Sequence, residues 1–253
     1  MLGTLGRRGR GMLGSLCPLG RGMLGTLSPL GRGQGEGEEG EWKLEMVRVK
    51  ICGITSIEDA RLSAEAGADA LGFIFVEGTP RFIAPEAAAR IIAELPPFVT
   101  PVGVFWDHAP GHVKAVAEQC RLGALQFHGD EPPEVVAGSD LPTIKTIKVS
   151  GPESLELMDR YRVSAFLLDS PARWSEGEPR APIPWELVRR AAARRRLILS
   201  AGLTPDNVSA AIRLARPFAV DVNSGVEAQP GRKDPEKVRR FVAAAKAVDV
   251  MGS

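Results

Sequence analysis

The sequence predicts an α/β protein built as a single (β/α)8 barrel. Three observations predict it: short β-branched or apolar runs alternate with amphipathic stretches after Met46, they recur at roughly even spacing, and they number eight. Eight such units close into a barrel within about 200 residues. An open, doubly wound parallel sheet is the structural alternative.

The predicted strands are short apolar runs bounded by turn residues, a pattern typical of strands in a parallel sheet. They cover residues 47–51, 70–75, 101–105, 124–127, 143–147, 165–168, 197–199 and 218–222.

Helix start signals precede several stretches between these strands: Ser56 with Asp59, Pro85, Thr204 with Pro205, and Asp234 with Pro235. In the stretch 205–214 the apolar residues follow a spacing of three and four. This spacing predicts a helix that rests one face on a sheet. Similar faces occur in 57–66 and 238–248.

The composition is that of an ordinary globular protein, with 44% hydrophobic and 25% charged residues among 253. The net charge of +1 provides no basic field for nucleic acid, so a small-molecule substrate is expected. No apolar run approaches the roughly 18 to 20 residues that a membrane span requires. We therefore expect no nucleic-acid partner and no membrane association.

The cysteine pattern indicates a reducing compartment. Cys17, Cys52 and Cys120 are widely separated and too few for a disulfide framework in a chain of this length. We therefore expect a cytoplasmic protein. His128 has no second ligand at metal spacing, so no metal site is expected.

The first 45 residues differ from the rest. Residues 1–11, 12–22 and 23–33 are near-copies of one Gly-rich unit of eleven residues. A unit this short and glycine-rich is unsuited to stacking as a solenoid, and its leucines are too few to form an apolar face. We expect 1–45 to be disordered and 46–253 to form the barrel. Because the copies resemble duplicated nucleotide sequence, we also expect translation to begin at Met46; a transit peptide is the alternative.

The active site of a (β/α)8 barrel lies at the carboxyl ends of its strands. The chemically informative residues at or just beyond the predicted strand ends are Cys52, Arg81, His128, Asp169, Gly202, Asp221, Asn223, Ser224 and Gly225.

Each of these residues also has a purely structural interpretation. Cys52 could simply pack in the core, Asp169 could cap a loop, and Arg81 could be a solvated surface charge. The glycine turns after the last two strands have a more specific use, because glycine allows an anion to approach main-chain N–H groups closely. The residues alone therefore predict an enzyme acting on a phosphorylated metabolite.

Seven segments carry a family resemblance: KICGIT (50–55), TPRFI (79–83), VGVF (102–105), LQFHG (125–129), LLD (167–169), LSAGL (199–203) and VDVNSGVE (220–227). On these segments the chain resembles the phosphoribosylanthranilate isomerase family of phosphate-binding TIM barrels, from Met46 to about Val248.

The resemblance implies a cofactor-free Amadori rearrangement of N-(5-phosphoribosyl)anthranilate in tryptophan biosynthesis. It makes Asp169 the general acid and Cys52 the general base, with Arg81 holding the anthranilate carboxylate. His128 and Asp221 would contact the substrate. We expect a modest electropositive environment to make the Cys52 thiolate available at neutral pH.

The phosphate is expected at the two glycine turns, on four residues: Gly202, Asn223, Ser224 and Gly225. The chain departs from the family pattern at two places. Residues 170–185 contain a single glycine where the family usually has a Gly-Gly-Thr-Gly loop, and Ala201 replaces the first glycine of a pair. The first departure puts that loop's contact with substrate in doubt, and the second leaves Gly202 as the expected phosphate contact.

Two other functions stay open. A related barrel of histidine biosynthesis performs the same rearrangement on a different aminoaldose, and some barrels serve both pathways; that relative has an aspartate where Cys52 stands. The second alternative is a barrel that binds a sugar phosphate without turnover. The sequence leaves monomer and homodimer equally open.

Overall fold

The computed structural model describes residues 46–170 and 183–248. Eight parallel strands form a closed barrel in chain order, which confirms the predicted fold. Their bounds differ from the predicted ones by at most one residue at each end: β1 Arg48–Cys52, β2 Ala70–Ile74, β3 Thr100–Phe105, β4 Ala124–Phe127, β5 Thr143–Lys148, β6 Ala165–Asp169, β7 Leu197–Ser200 and β8 Ala219–Val222.

Helices follow most of the strands: α1 Ile57–Glu65, α2 Pro85–Ile92, α3 Pro110–Cys120, α4 Pro133–Ala137, α5 Trp185–Ala192, α6 Val208–Ala215 and α7 Pro235–Lys246. Between β5 and β6 the connection is a 3-10 helix, Pro152–Arg160. After β8 come a 3-10 turn, Ser224–Val226, and a small hairpin of β9 Glu227–Gln229 and β10 Arg232–Lys233.

The predicted helix starts are mostly confirmed. The Ser56 hydroxyl accepts a hydrogen bond from the Asp59 backbone N–H, and Asp234 caps α7 in the same way. The start predicted at Thr204 is displaced, because Asn207 Oδ1 accepts from the Thr204 backbone N–H at 2.8 Å and closes a turn first. Helix α6 therefore begins only at Val208.

Barrel closure depends on β1, which pairs with β2 on one side and with β8 on the other. The register places Lys50 beside Asp221 and Cys52 beside Gly72. A small apolar cluster takes one or two residues from each of β3 to β8: Val102, Ala124, Ile144, Ala165, Leu167, Ile198 and Ala219. Such inward side chains fill the barrel and leave the carboxyl ends of the strands as the site of chemistry.

Two predictions lie outside the described residues. The disordered extension over 1–45 is one, and the unusual loop after Asp169 is the other, since 171–182 belongs to the undescribed part. Within the described ranges, the helices are all too short or too polar to cross a membrane.

Candidate active site

The predicted acid and base meet at the carboxyl ends of the strands. Cys52 is the last residue of β1 and Asp169 the last of β6, and they are 5% and 3% exposed. Both line a cavity of about 20 Å³, whose other walls are Val104, Gln126, His128, Leu167, Ser200, Asp221 and Asn223. Five predicted site residues therefore share one cavity. The other four predicted site residues do not line this cavity. They lie in the loops and turns beside it: Arg81, Gly202, Ser224 and Gly225.

A buried ion pair lies next to the Cys52 thiol. Lys50 Nζ contacts Asp221 Oδ1 at 2.7 Å, and the Ser200 hydroxyl donates to Asp221 Oδ2 at 2.9 Å. Lys50 precedes Cys52 by two positions on the strand, so both side chains project from the same face. A Cβ placed on Gly72 would lie 2.6 Å from Cys52 Sγ and 3.1 Å from Lys50 Nζ. The thiol and the ammonium are therefore packed together over a glycine that leaves them space.

These neighbours determine the protonation of Cys52. Burial raises the pKa of the Cys52 thiol above its usual value; the Asp221 carboxylate adds to this effect, and Lys50 and Lys233 oppose it. Burial works to lower the pKa of Lys50, but Asp221 and Cys52 hold it above its usual value. The expectation of a readily available thiolate is wrong for the free enzyme, because desolvation outweighs the nearby positive charge.

The proposed acid lies close to an imidazole. Asp169 Oδ1 accepts from the Ser170 backbone N–H at 2.8 Å, and Oδ2 lies 3.8 Å from His128 Nε2. The other ring nitrogen of His128 lies 3.3 Å from the Thr146 hydroxyl, and its ring packs against Trp106. His128 is therefore a buried, hydrogen-bonded residue on the cavity wall.

Arg81 lies beside the cavity on the segment after β2. Its Nε and Nη2 atoms contact the two oxygens of Glu227 at 2.9 and 2.7 Å. Lys233 Nζ lies 3.2 Å from Glu227 Oε1 and 3.0 Å from Asn223 Oδ1. The predicted carboxylate-binding arginine thus belongs to a buried charge cluster, which the sequence analysis did not predict.

The two glycine turns are in direct contact. Gly202 has φ +60°, a left-handed conformation that favours glycine, and its carbonyl accepts from Asn207 Nδ2 at 2.9 Å. A Cβ on Gly225 would lie 1.9 Å from the Leu203 carbonyl oxygen. Gly225 therefore has a structural reason of its own in the close packing of two main chains, and its contact with phosphate stays a prediction.

The chain was compared with known proteins. The family model for N-(5'-phosphoribosyl)anthranilate isomerase matches residues 49–244, which include the cavity and the charge cluster. The chain belongs to this family. A Geobacter sp. (strain M21) isomerase of the same name is 52% identical over 201 residues, which are 79% of this chain and 98% of that protein.

Solved structures of the isomerase family agree with the barrel. One, described as phosphoribosyl anthranilate isomerase in complex with reduced 1-(o-carboxyphenylamino)-1-deoxyribulose 5-phosphate, is 45% identical with a TM-score of 0.73. Another, described as monomers made from the dimeric Thermotoga maritima enzyme, is 43% identical with a TM-score of 0.72. Each match covers 80% of this chain and 100% of the other.

Sequence reasoning missed three charged residues of this family member: Lys50, Glu227 and Lys233. Lys50 carried a signal, because a lysine within the apolar strand RVKIC stands two residues before the cysteine and must share its face. Glu227 also carried a signal, because it ends the segment VDVNSGVE on which the family resemblance rests, but neither it nor Lys233 was given a role in the site.

Proposed function

We propose that this chain isomerises N-(5-phosphoribosyl)anthranilate to 1-(2-carboxyphenylamino)-1-deoxyribulose 5-phosphate in tryptophan biosynthesis. The observation that carries the proposal is that a thiol and a carboxyl group, Cys52 and Asp169, line one buried cavity in a member of the isomerase family. An aldose–ketose rearrangement needs one acid and one base held on the same substrate.

In the proposed mechanism, Asp169 protonates the ring oxygen and the bond from that oxygen to C1 breaks. The lone pair of the anthranilate nitrogen then forms an iminium with C1. Cys52 removes the proton from C2, and the electron pair of that bond neutralises the iminium to give an enaminol. Ketonisation moves the hydroxyl proton of C2 to C1 and completes the product. Cys52 then releases its proton to solvent and Asp169 takes one up, which restores the base and the acid. Only protons and electron pairs move, so the reaction requires no cofactor and no metal.

Lys50 gives this mechanism its electrostatic support. When Cys52 loses its proton, the new thiolate lies beside the Lys50 ammonium, which is itself held by Asp221. A charge pair in a site with little water is stabilised more strongly than one in solvent. Because the pKa of Cys52 is raised, the thiolate that acts as the base is the minor form of the free enzyme, and it arises by loss of the thiol proton to solvent before C2 is deprotonated.

The remaining predicted residues bind the two anionic ends of the substrate in this proposal. Arg81 holds the anthranilate carboxylate, while His128 and Asp221 contact the substrate inside the cavity. Main-chain donors of the turns at Gly202 and Asn223-Ser224-Gly225 hold the phosphate.

A steady-state assay that follows the fluorescence of phosphoribosylanthranilate tests the function. We expect turnover by the wild type, and Cys52→Ala and Asp169→Asn should each lower kcat by at least about 10²- to 10⁴-fold while circular dichroism stays unchanged. The aminoaldose of the histidine pathway is the second substrate. Turnover of that compound alone would favour the related isomerase, and phosphate binding without turnover of either would favour a binding barrel.

We further propose a cytoplasmic enzyme, on the ground that Cys52 and Cys120 are both free thiols. The Thermotoga maritima relative is described as dimeric, so homodimer and monomer both remain to be tested for this chain. Light scattering on the purified full chain distinguishes them through the molar mass.

A further inference from the structure

The charge cluster of Arg81, Glu227 and Lys233 lies beside the acid–base pair. Its members give up and take up no proton in the proposed mechanism, although Lys233 works to lower the pKa of Cys52. The side chains of these three residues are 14%, 4% and 0% exposed, respectively. The contact between Arg81 and Glu227 is bidentate, through Nε and Nη2. Such a contact fixes the plane of the guanidinium as well as its position. Nη1 is the nitrogen that Glu227 does not engage.

Lys233 extends the cluster to the turn after β8. Its ammonium contacts the Asn223 side-chain oxygen at 3.0 Å and the Asn223 carbonyl at 3.4 Å. A Cβ on Gly53 would lie 2.7 Å from Asn223 Oδ1 and 3.2 Å from Arg81 Cδ. The segments after β1, β2 and β8 are therefore in direct contact, and a displacement of Glu227 would be transmitted to both Arg81 and Asn223.

The charges of the cluster favour one more anion. Arg81 and Lys233 bring two positive charges against one on Glu227. Burial alone would raise the pKa of Glu227, but hydrogen bonds and charges from Arg81 and Lys233 hold it below its usual value. Asp59 and Lys237 contact the main chain of the same hairpin and add one charge of each sign. Burial lowers the pKa of Lys233, which is fully enclosed and also faces Cys52, so the positive group left to meet a single substrate carboxylate is the Arg81 guanidinium.

We propose that Glu227 and Lys233 are positioning residues for carboxylate recognition. Glu227 holds the Arg81 guanidinium so that its remaining edge meets the carboxylate, and Lys233 fixes that arrangement relative to the turn expected to hold phosphate. A preoriented guanidinium loses little conformational freedom on binding. The cluster thereby selects substrates that carry an anionic group at a set distance from their phosphate. This inference rests on the proposed function, in which Arg81 binds the anthranilate carboxylate.

The test compares wild type, Glu227→Gln and Arg81→Lys. For Glu227→Gln we expect KM for phosphoribosylanthranilate to rise about 10- to 100-fold, the effect of losing a charge-assisted hydrogen bond, with kcat nearly unchanged. Arg81→Lys keeps the charge but loses the bidentate contact, so it should act in the same direction. Asp206→Asn, which removes the exposed ion pair with Arg240, is the matched control and should change neither constant.

Two inhibitors separate positioning from general loss of structure: the reduced product, and the same compound with hydrogen in place of the carboxylate. Glu227→Gln should bind the first inhibitor more weakly than the wild type does, and its affinity for the second inhibitor should be unchanged. In an Arg81→Ala background, the substitution of Glu227 should have little further effect.

The inference would be overturned if Glu227→Gln lost affinity equally for both inhibitors, or if its KM for phosphoribosylanthranilate were unchanged. If Glu227→Gln does not fold, Glu227→Asp takes its place in the same measurements. Aspartate retains the negative charge but is one methylene shorter, so its carboxylate lies farther from Arg81. A wild type that does not turn over phosphoribosylanthranilate would instead count against the proposed function.

Discussion

Lys50 and Asp221 form a buried ion pair beside a thiol whose burial raises its pKa. Removing one member of such a pair leaves a charge without its partner, so both are structural as well as electrostatic residues. The pair explains how an apolar strand can carry a lysine. The ionisation of Cys52 also depends on Lys50, a residue that the substrate need not touch.

The rate should therefore depend on pH through the Cys52 thiol. Because this pKa is raised, the thiolate fraction of the free enzyme is small at neutral pH and grows as pH rises. We expect kcat/KM to increase beyond pH 8.5, about the ordinary pKa of a cysteine, before it levels off. Lys50→Met should shift the profile further to the alkaline side, since Lys50 works to lower this pKa. A profile that is flat from pH 6 would contradict a thiol base.

A second prediction for a single residue concerns Gln126. Its side chain is 2% exposed, and its Oε1 atom has no hydrogen-bond partner within the described part of the chain. A buried acceptor left unpaired costs about 1 to 3 kcal/mol. We expect Gln126→Met to maintain or increase the free energy of unfolding in urea while lowering activity, because the residue lines the catalytic cavity. A clear loss of stability would show that the contact with Thr146 matters more.

Among the elements, the turns after β7 and β8 are tightly constrained by their backbones. Each glycine there has its own backbone requirement, the φ of Gly202 and the contact of Gly225 with Leu203. Valine at either position would disturb the fold as well as any bound phosphate. Phosphate affinity in such variants therefore needs a stability measurement beside it.

Gly225→Ala should destabilise the protein. The added methyl would meet the Leu203 carbonyl oxygen at 1.9 Å, and main chain yields less readily than a flexible side chain. We expect a loss of about 1 to 3 kcal/mol in the free energy of unfolding, measured in urea. Gly111→Ala is the matched control, because a Cβ there meets nothing within 4 Å at the start of α3 and alanine favours helix. Equal stability of the two variants would mean that the turns can move apart.

The sequence predicts elements well where the signal is local. The cap formed by Ser56 and Asp59 and the proline at the start of α2 are visible in a few adjacent residues, and the structure has both. The start of α6 was misplaced because Asn207, and not Thr204, closes the preceding turn. The 3-10 helix between β5 and β6 was not predicted, although Pro152 at its start and the buried Leu155 and Met158 on one face are local signals of the kind used elsewhere.

For the whole molecule, the barrel and five residues of its cavity follow from eight strands and the rule that chemistry lies at their carboxyl ends. The partners of those residues do not follow. Lys50 and Asp221 are 171 positions apart, and Arg81 and Glu227 are 146 apart. Such pairings depend on the register of a closed sheet, which no local pattern encodes. Sequence therefore locates the residues of the cavity better than their charged partners.

The pairing of β1 with β8 also has a consequence for synthesis on the ribosome. Cys52 is made early, whereas Asp221, which holds its neighbouring ammonium, belongs to the last barrel strand. Until that strand has left the exit tunnel, the nascent chain has a lysine without its carboxylate and a sheet with two open edges. The proposed base, Cys52, thus acquires its electrostatic environment only when the polypeptide is nearly finished, and a chain released early would lack it entirely.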